Sequence, residues 1–252
     1  MIGVTFPVDI VLGSLTLSAH QVFEFLAYLV GFRIFLLLRR RTGDVVAPRV
    51  RWCIVAAAIL GGALGSRLLY WFEDPAQTLV RLDDPTFLLG GKTVVGGLIG
   101  GLVGVELTKK ALGVTGRTGD LFALPLAVGI AVGRIGCFLA GLPDRTFGTA
   151  TSLPWGVDFG DGIPRHPTQL YEAIFLAGLA VVLAVATRRR LPQGSVFRLF
   201  MMAYLAFRVL VDAIKPDPRL ALGLSAIQWA ALLTLTYYVL VFRQQAALTN
   251  AD

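Results

Sequence analysis

The chain has 252 residues, 56% of them hydrophobic and only 15% charged, with a formal net charge of +7. A soluble domain carries about 25% charged residues, so this chain lacks the polar surface that water requires, and its mean hydropathy of +0.72 points to a bilayer instead. The basic excess sits in short loops between apolar runs, with no aromatic interleaving. That pattern speaks against nucleic acid as a partner and leaves helix orientation and anionic headgroups as the business of these charges.

Windows of about 20 residues predict membrane spans over 19–38, 52–72, 93–108, 121–141, 167–187, 196–214 and 222–242. Met1–Ala19 has no positively charged leading segment, so the first span is expected to be retained rather than cleaved as a signal peptide. Arg39, Arg40, Arg41, Arg49 and Arg51 follow the first span, and Glu73, Asp74, Asp83 and Asp84 follow the second. The third span is short and rich in glycine, and Lys109, Lys110 and Arg117 come after it. A mixed stretch from Asp144 to Arg165 follows the fourth, and Arg188, Arg189 and Arg190 follow the fifth. Basic loops thus alternate with acidic or mixed ones, which predicts the N-terminus outside and the C-terminus in the cytoplasm. The expected fold is an all-α polytopic membrane protein of about seven transmembrane helices, forming a single domain over 1–252.

Small residues mark where helices are expected to touch. Gly96, Gly100 and Gly104 repeat at four-residue spacing, as do Gly97 and Gly101, Gly61 and Gly65, and Gly129 and Gly133. The two cysteines, Cys53 and Cys137, lie in apolar runs and are too few for a disulfide framework. Nothing beside them has metal-ligand spacing, so neither a metal nor a cofactor is expected.

Ionisable residues inside spans are costly unless paired or hydrated, so they are the informative positions. At 1.5 Å per residue, Glu24, Arg67, Arg134, Glu172 and Arg208 all fall about 8–10 Å below the outer surface. Asp212 stands one turn above Arg208 on the same helix face, whereas Arg33 and Glu106, near cytoplasmic ends, are expected to snorkel. Such a layer is either an ion-pair network that locks the bundle or a polar cavity open to the outer leaflet. Its arginines suit a phosphate, because the guanidinium fork matches phosphate oxygens bidentately, and the depth suits a phospholipid headgroup. In 165–172, Pro167 fits the first helical position, His166 sits at the helix mouth, and Gln169 and Glu172 share an inward face. The other histidine, His20, lies at the outer end of the first span.

These residues resemble a known family. Gly133-Arg134-Ile135-Gly136 is similar to a signature segment of bacterial prolipoprotein diacylglyceryl transferases, and Arg165-His166-Pro167-Thr168-Gln169-Leu170-Tyr171-Glu172 to that family's Arg-His-Pro-Ser-Gln-Leu-Tyr-Glu run. Tyr28-Leu29-Val30-Gly31-Phe32, Gly96-Gly97-Leu98-Ile99-Gly100, Pro154-Trp155-Gly156 and Ala206-Phe207-Arg208 with Lys215-Pro216-Asp217 follow in family order. The resemblance implies a multi-pass enzyme of the bacterial inner membrane that moves the diacylglyceryl group of phosphatidylglycerol onto the lipobox cysteine of an exported prolipoprotein, releasing glycerol phosphate. By position it implies that Arg134 and Arg208 hold the phosphate and stabilise leaving-group charge. Gln169, Tyr171 and Glu172 would shape the headgroup pocket, with Arg67 and Gly97 also on the substrate-binding side.

The attacking thiol has to become a thiolate, which calls for a base or a cationic field. Here the chain departs from the family. Val95 stands where the family has a histidine before the paired glycines, Cys137 where it has asparagine, and Glu24 close to a usual tyrosine; the loop around Leu142-Pro143-Asp144-Arg145 differs too. His166 or Glu24 is then the expected base. Two other readings are a paralogue using the same lipid with another acceptor, and a non-catalytic membrane protein that binds anionic lipid.

Overall fold

The computed structural model describes residues 5–13, 15–189 and 191–249, and they are mostly helical. A hairpin of β1 (Asp9–Leu12) and β2 (Leu15–Ser18), in register Asp9 to Ser18, leads directly into helix α1 (Ala19–Thr42). Then come α2 (Pro48–Glu73), the short α3 (Pro75–Val80) and α4 (Pro85–Gly90), α5 (Val94–Ala111) and α6 (Asp120–Ala140). A loop with the paired strands β3 (Val157–Asp158) and β4 (Pro164–Arg165) precedes α7 (Thr168–Ala186), α8 (Ser195–Val211) and α9 (Ala226–Thr249).

Local chemistry explains where these helices begin. Pro48 opens α2 where a missing N–H costs nothing. Asp74 and Asp84 cap α3 and α4 by accepting backbone N–H bonds, and Thr93 caps α5 through Gly96 N at 3.1 Å. The Asp120 carboxylate, in the first turn of α6, accepts from Gly194 N and Phe197 N and so fixes the start of α8.

Each of the seven expected spans coincides with a helix, but several boundaries differ; α2, for one, starts at Pro48 rather than 52. Helix α1 runs on to Thr42, because Arg39, Arg40 and Arg41 are good helix formers and sit favourably against the negative end of the helix dipole. Helix α8 stops at Val211, and Asp212–Ile214 tighten into a 3-10 turn before Pro216. Helix α9 starts at Ala226 rather than 222, because Ser225 and Gln228 form a capping box: Gln228 N donates to Ser225 Oγ and Ser225 N to Gln228 Oε1. Pro167 takes the N-cap of α7, one position before the expected one. Arg190 lies outside the described residues. Arg51 does not face headgroups as a loop charge would. It is fully buried, forked onto Asp44 with its closest contact at 2.6 Å, and donates to Thr118 O.

Close contacts divide the chain into two compact units. The first takes the residues up to Gly43, Gly119–Phe200 and Ile214–Pro216, and so holds α1, α6 and α7. There α6 lies between α1 and α7 in contact terms, and its seam with α1 is lined by small residues. A Cβ on Gly31 would come within 3.2 Å of Pro125 O, one on Gly129 within 3.2 Å of Ala27 O, and one on Gly136 within 2.7 Å of Phe23 Cβ. The second unit takes Asp44–Thr118, Met201–Ala213 and the chain from Asp217 on. Its main seam joins α2 to α5 as the glycine spacing predicts: a Cβ on Gly61 would overlap Gly100 O, and one on Gly65 would overlap Gly96 O.

Helices α1, α2, α6 and α7 are long and apolar enough to cross a membrane. Phe25, Leu29, Ile59, Leu60 and Leu64 on α1 and α2 are exposed, which is costly in water and natural against lipid.

Candidate functional site

In the first unit, Arg134 and Glu172 face each other from the middle of the signature segments. Both are buried, and Arg134 Nε stands 2.9 Å from Glu172 Oε2. Arg134 also reaches forward one turn, with Nη1 3.7 Å from Cys137 Sγ. One turn before Glu172, Gln169 is 1% exposed, yet neither its Oε1 nor its Nε2 has a hydrogen-bond partner among the described residues. A buried carboxamide left unmatched costs about 1–3 kcal/mol, so its place beside a buried ion pair suits a polar ligand. The sequence expects Gln169 and Glu172 on one inward face, and both are indeed buried there.

His166 and Tyr171 lie at the mouth of α7. Tyr171 Oη accepts a hydrogen bond from Trp155 Nε1 at 2.8 Å and stands 3.2 Å from His166 Nδ1. The His166 backbone is pinned on both sides, by Thr149 O at its N–H and by Gly148 N and Thr168 N at its carbonyl. Next to it, Arg165 forks onto Asp161 at 2.6 and 2.7 Å and lies over the Phe147 ring. The hydrogen bond from Arg165 holds the Asp161 carboxyl below the usual carboxylate range, and Asp161 in turn raises the Arg165 guanidinium. These contacts stiffen the loop that presents His166.

Glu24 is half-buried on α1 and accepts from Tyr28 Oη at 3.1 Å. Its other oxygen faces His20 Nε2 at 3.8 Å, and His20 Nδ1 is 3.6 Å from Asp144 Oδ1. Cys137 completes this group, with the ligating atoms of His20, Cys137 and Asp144 all within 4.8 Å of one another. His20 and Asp144 also line a cleft of about 300 Å³ with Pro7, Asp9, Ser18, Ala140 and Pro143. Sequence reasoning missed this group and found no metal-ligand spacing around the cysteines, because His20 is brought in from a different helix. The one signal available was that His20 and Cys137 both lie at the predicted outer ends of spans.

In the second unit, Arg208 is buried and forks onto Asp212, with Nη2–Oδ1 at 2.7 Å and Nε–Oδ2 at 3.3 Å. The i,i+4 spacing predicts that pair. Arg219, which the sequence did not single out, donates to Asp212 O and to Gln228 Oε1 and ties the turn after α8 to α9. Arg67 on α2 is half-buried and donates to Ala63 O, while its Nε is buried without a hydrogen-bond partner among the described residues. Gly97 on α5 lies on the same α2–α5 seam, where a Cβ would stand 3.7 Å from Ser66 Cβ. Val95, in the place of the family histidine, is fully buried near the start of α5.

Comparison with known proteins agrees with the motifs. A family model described as prolipoprotein diacylglyceryl transferase matches residues 7–243. A phosphatidylglycerol–prolipoprotein diacylglyceryl transferase of Bordetella bronchiseptica is 36% identical over 244 residues, covering 90% of each chain. One from Geobacter sulfurreducens is 34% identical over 235 residues, covering 85% of this chain and 86% of the relative. One from Clostridium tetani is 37% identical over 195 residues, covering 73% and 76%.

Proposed function

The chain belongs to the prolipoprotein diacylglyceryl transferase family, and from that premise we propose that it moves the diacylglyceryl group of phosphatidylglycerol onto the cysteine thiol of an exported prolipoprotein. It is a transferase of lipoprotein biosynthesis embedded in a membrane. The thiol sulfur attacks the glyceryl carbon bound to phosphate oxygen. The C–O bond breaks, a thioether forms, glycerol phosphate leaves with the bond electrons, and the thiol proton is released. The protein's tasks are to hold the phosphodiester, to stabilise the second negative charge it acquires, and to supply a thiolate.

We assign the first two tasks to buried guanidinium groups. The observation that carries this is Arg134, buried against Glu172 and beside the unmatched Gln169 carboxamide. The ion pair keeps the guanidinium charged and oriented in a low-dielectric setting, and Gln169 has a donor and an acceptor to offer a glycerol headgroup. In the second unit, Arg208, oriented by Asp212, and Arg67 are assigned as further cations for anionic lipid, with Gly97 on the α2–α5 seam that carries Arg67. Tyr171 is assigned to headgroup recognition, and His166 and Glu24 to taking the thiol proton.

The chain is read as one transmembrane domain with seven spans, its N-terminus outside, in the bacterial inner membrane. The agreement of seven helices with seven apolar windows supports this. Incubation of the purified chain with phosphatidylglycerol and a lipobox peptide tests the function, with lipids and peptides followed by mass spectrometry. The expected result is a peptide heavier by one diacylglyceryl group together with glycerol phosphate. Lipid turnover without a thioether would point to a different acceptor, and no turnover by well-folded protein would overturn the assignment.

A further inference from the structure

We propose that His20, Cys137 and Asp144 form a binding site for a divalent metal ion of the zinc class, which takes the acceptor cysteine as its fourth ligand. This rests on the transfer reading and supplies its thiolate. The ligating atoms gather within 4.8 Å of one another, although they come from the first turn of α1, the last turn of α6 and the loop after it. Ligands about 2.1 Å from a tetrahedral ion stand about 3.4 Å apart, and His20 Nδ1 and Asp144 Oδ1 are already at 3.6 Å. His20 Nδ1 is buried and has no hydrogen-bond partner among the described residues, so it is open to a ligand bond.

The atoms that would not bind the ion are held as a metal site needs. His20 Nε2 faces Glu24 at 3.8 Å, where a ligating histidine has its outer partner. Asp144 Oδ2 accepts from Thr146 Oγ1, which leaves Oδ1 toward His20. The Cys137 thiolate and Asp144 carboxylate would balance a 2+ ion. Arg134, with Nη1 3.7 Å from the sulfur, has its own charge matched by Glu172. One sulfur, one nitrogen and one oxygen ligand suit zinc, and three protein ligands leave the fourth position for a reactant. The cleft lined by His20 and Asp144 gives a reactant access to that position.

A thiol that coordinates such an ion loses its proton outright. In the step proposed, the acceptor S–H breaks as the metal–sulfur bond forms, and the proton passes by way of Glu24 or His166 to solvent. The bound sulfur then attacks the glyceryl carbon, the C–O bond to phosphate breaks, and glycerol phosphate carries off the bond electrons. Metal, thiol and lipid suffice, and no electron is gained or lost overall.

The test uses the purified full-length chain in detergent, dialysed against Zn²⁺ or Co²⁺. Elemental analysis is expected to give about one ion per chain, and Co²⁺ a thiolate charge-transfer band of a tetrahedral site. Both signals should be lost in Cys137→Ala and His20→Ala and kept in Cys53→Ser. A parent protein that takes up no ion overturns the proposal without any variant having to fold, as does a band that survives Cys137→Ala. For the chemical role, a lipobox peptide should shift the cobalt spectrum on binding, and chelation should slow transfer at least ~10-fold with recovery on adding Zn²⁺. Full transfer by metal-free protein would overturn the metal's role and leave the transferase reading intact, with His166 or Glu24 acting directly.

Discussion

Arg134 and Glu172 show how one residue pair can serve both folding and chemistry, and how the two can be separated. The pair is buried, with a close charge contact at 2.9 Å, so losing one member removes the partner of the other inside a low-dielectric interior. Arg134→Ala is expected to lower stability by about 3–5 kcal/mol, the usual result of breaking a buried pair. It should also slow transfer by about 10²–10³-fold, since a fixed donor to developing charge is lost. Replacing both residues, as Arg134→Met with Glu172→Leu, should restore most of the stability, because a well-packed apolar pair of similar volume is seldom worse than a buried ion pair. Activity should stay lost in that double variant. The unfolding midpoint in detergent and the mass-spectrometric yield of thioether separate the two effects; recovery of transfer along with stability would mean that Arg134 is only structural.

At the scale of elements, glycine placement governs the second unit's main seam. A Cβ on Gly65 would overlap Gly96 O and come within 2.7 Å of Gly100 Cα, and both obstacles are backbone that cannot swing aside. Gly65→Ala should therefore force α2 and α5 apart and cost about 1–3 kcal/mol or more. Gly178 on α7 has nothing within 4 Å of a built Cβ, so Gly178→Ala should stabilise by up to ~1 kcal/mol through helix propensity. Opposite signs in a denaturant titration check the pair, and a neutral Gly65→Ala would show that the seam has slack. The Gly61–Gly65 and Gly96–Gly100–Gly104 spacing made this seam legible in the sequence, because close helix approach requires small residues at fixed intervals. The Arg208–Asp212 pair was legible for a similar reason, since one helical turn separates its members. Helix ends were less legible: hydropathy windows follow apolar content, and so they cut α1 short at its arginines and overlooked the Ser225–Gln228 box that starts α9. The group of His20, Cys137 and Asp144 was not legible at all. It depends on α1 packing against α6, and no local spacing records that contact.

For the whole molecule, the placement of the chemistry follows from which ends of the helices share a side of the membrane. Arg39, Arg40 and Arg41 end α1 and Arg49 begins α2, Lys110 ends α5 with Arg117 after it, and Arg188 and Arg189 lie between α7 and α8. Glu73 ends α2, and Asp74, Asp83 and Asp84 follow it before α5. In the proposed seven-span topology, alternation would assign the loop carrying Asp144 and His166 to the outer side. If the basic loops are retained in the cytoplasm, that is the side on which an exported acceptor arrives. Single cysteines introduced in a Cys53→Ser background test this with a maleimide that does not cross membranes. Gln77→Cys and Ser152→Cys, both exposed, should label in intact spheroplasts well above the background strain. Thr115→Cys and Gln193→Cys, also exposed, should label only after the membrane is opened. The reverse pattern would put His166 on the side where no exported prolipoprotein arrives, and would leave the arginines without their proposed substrate.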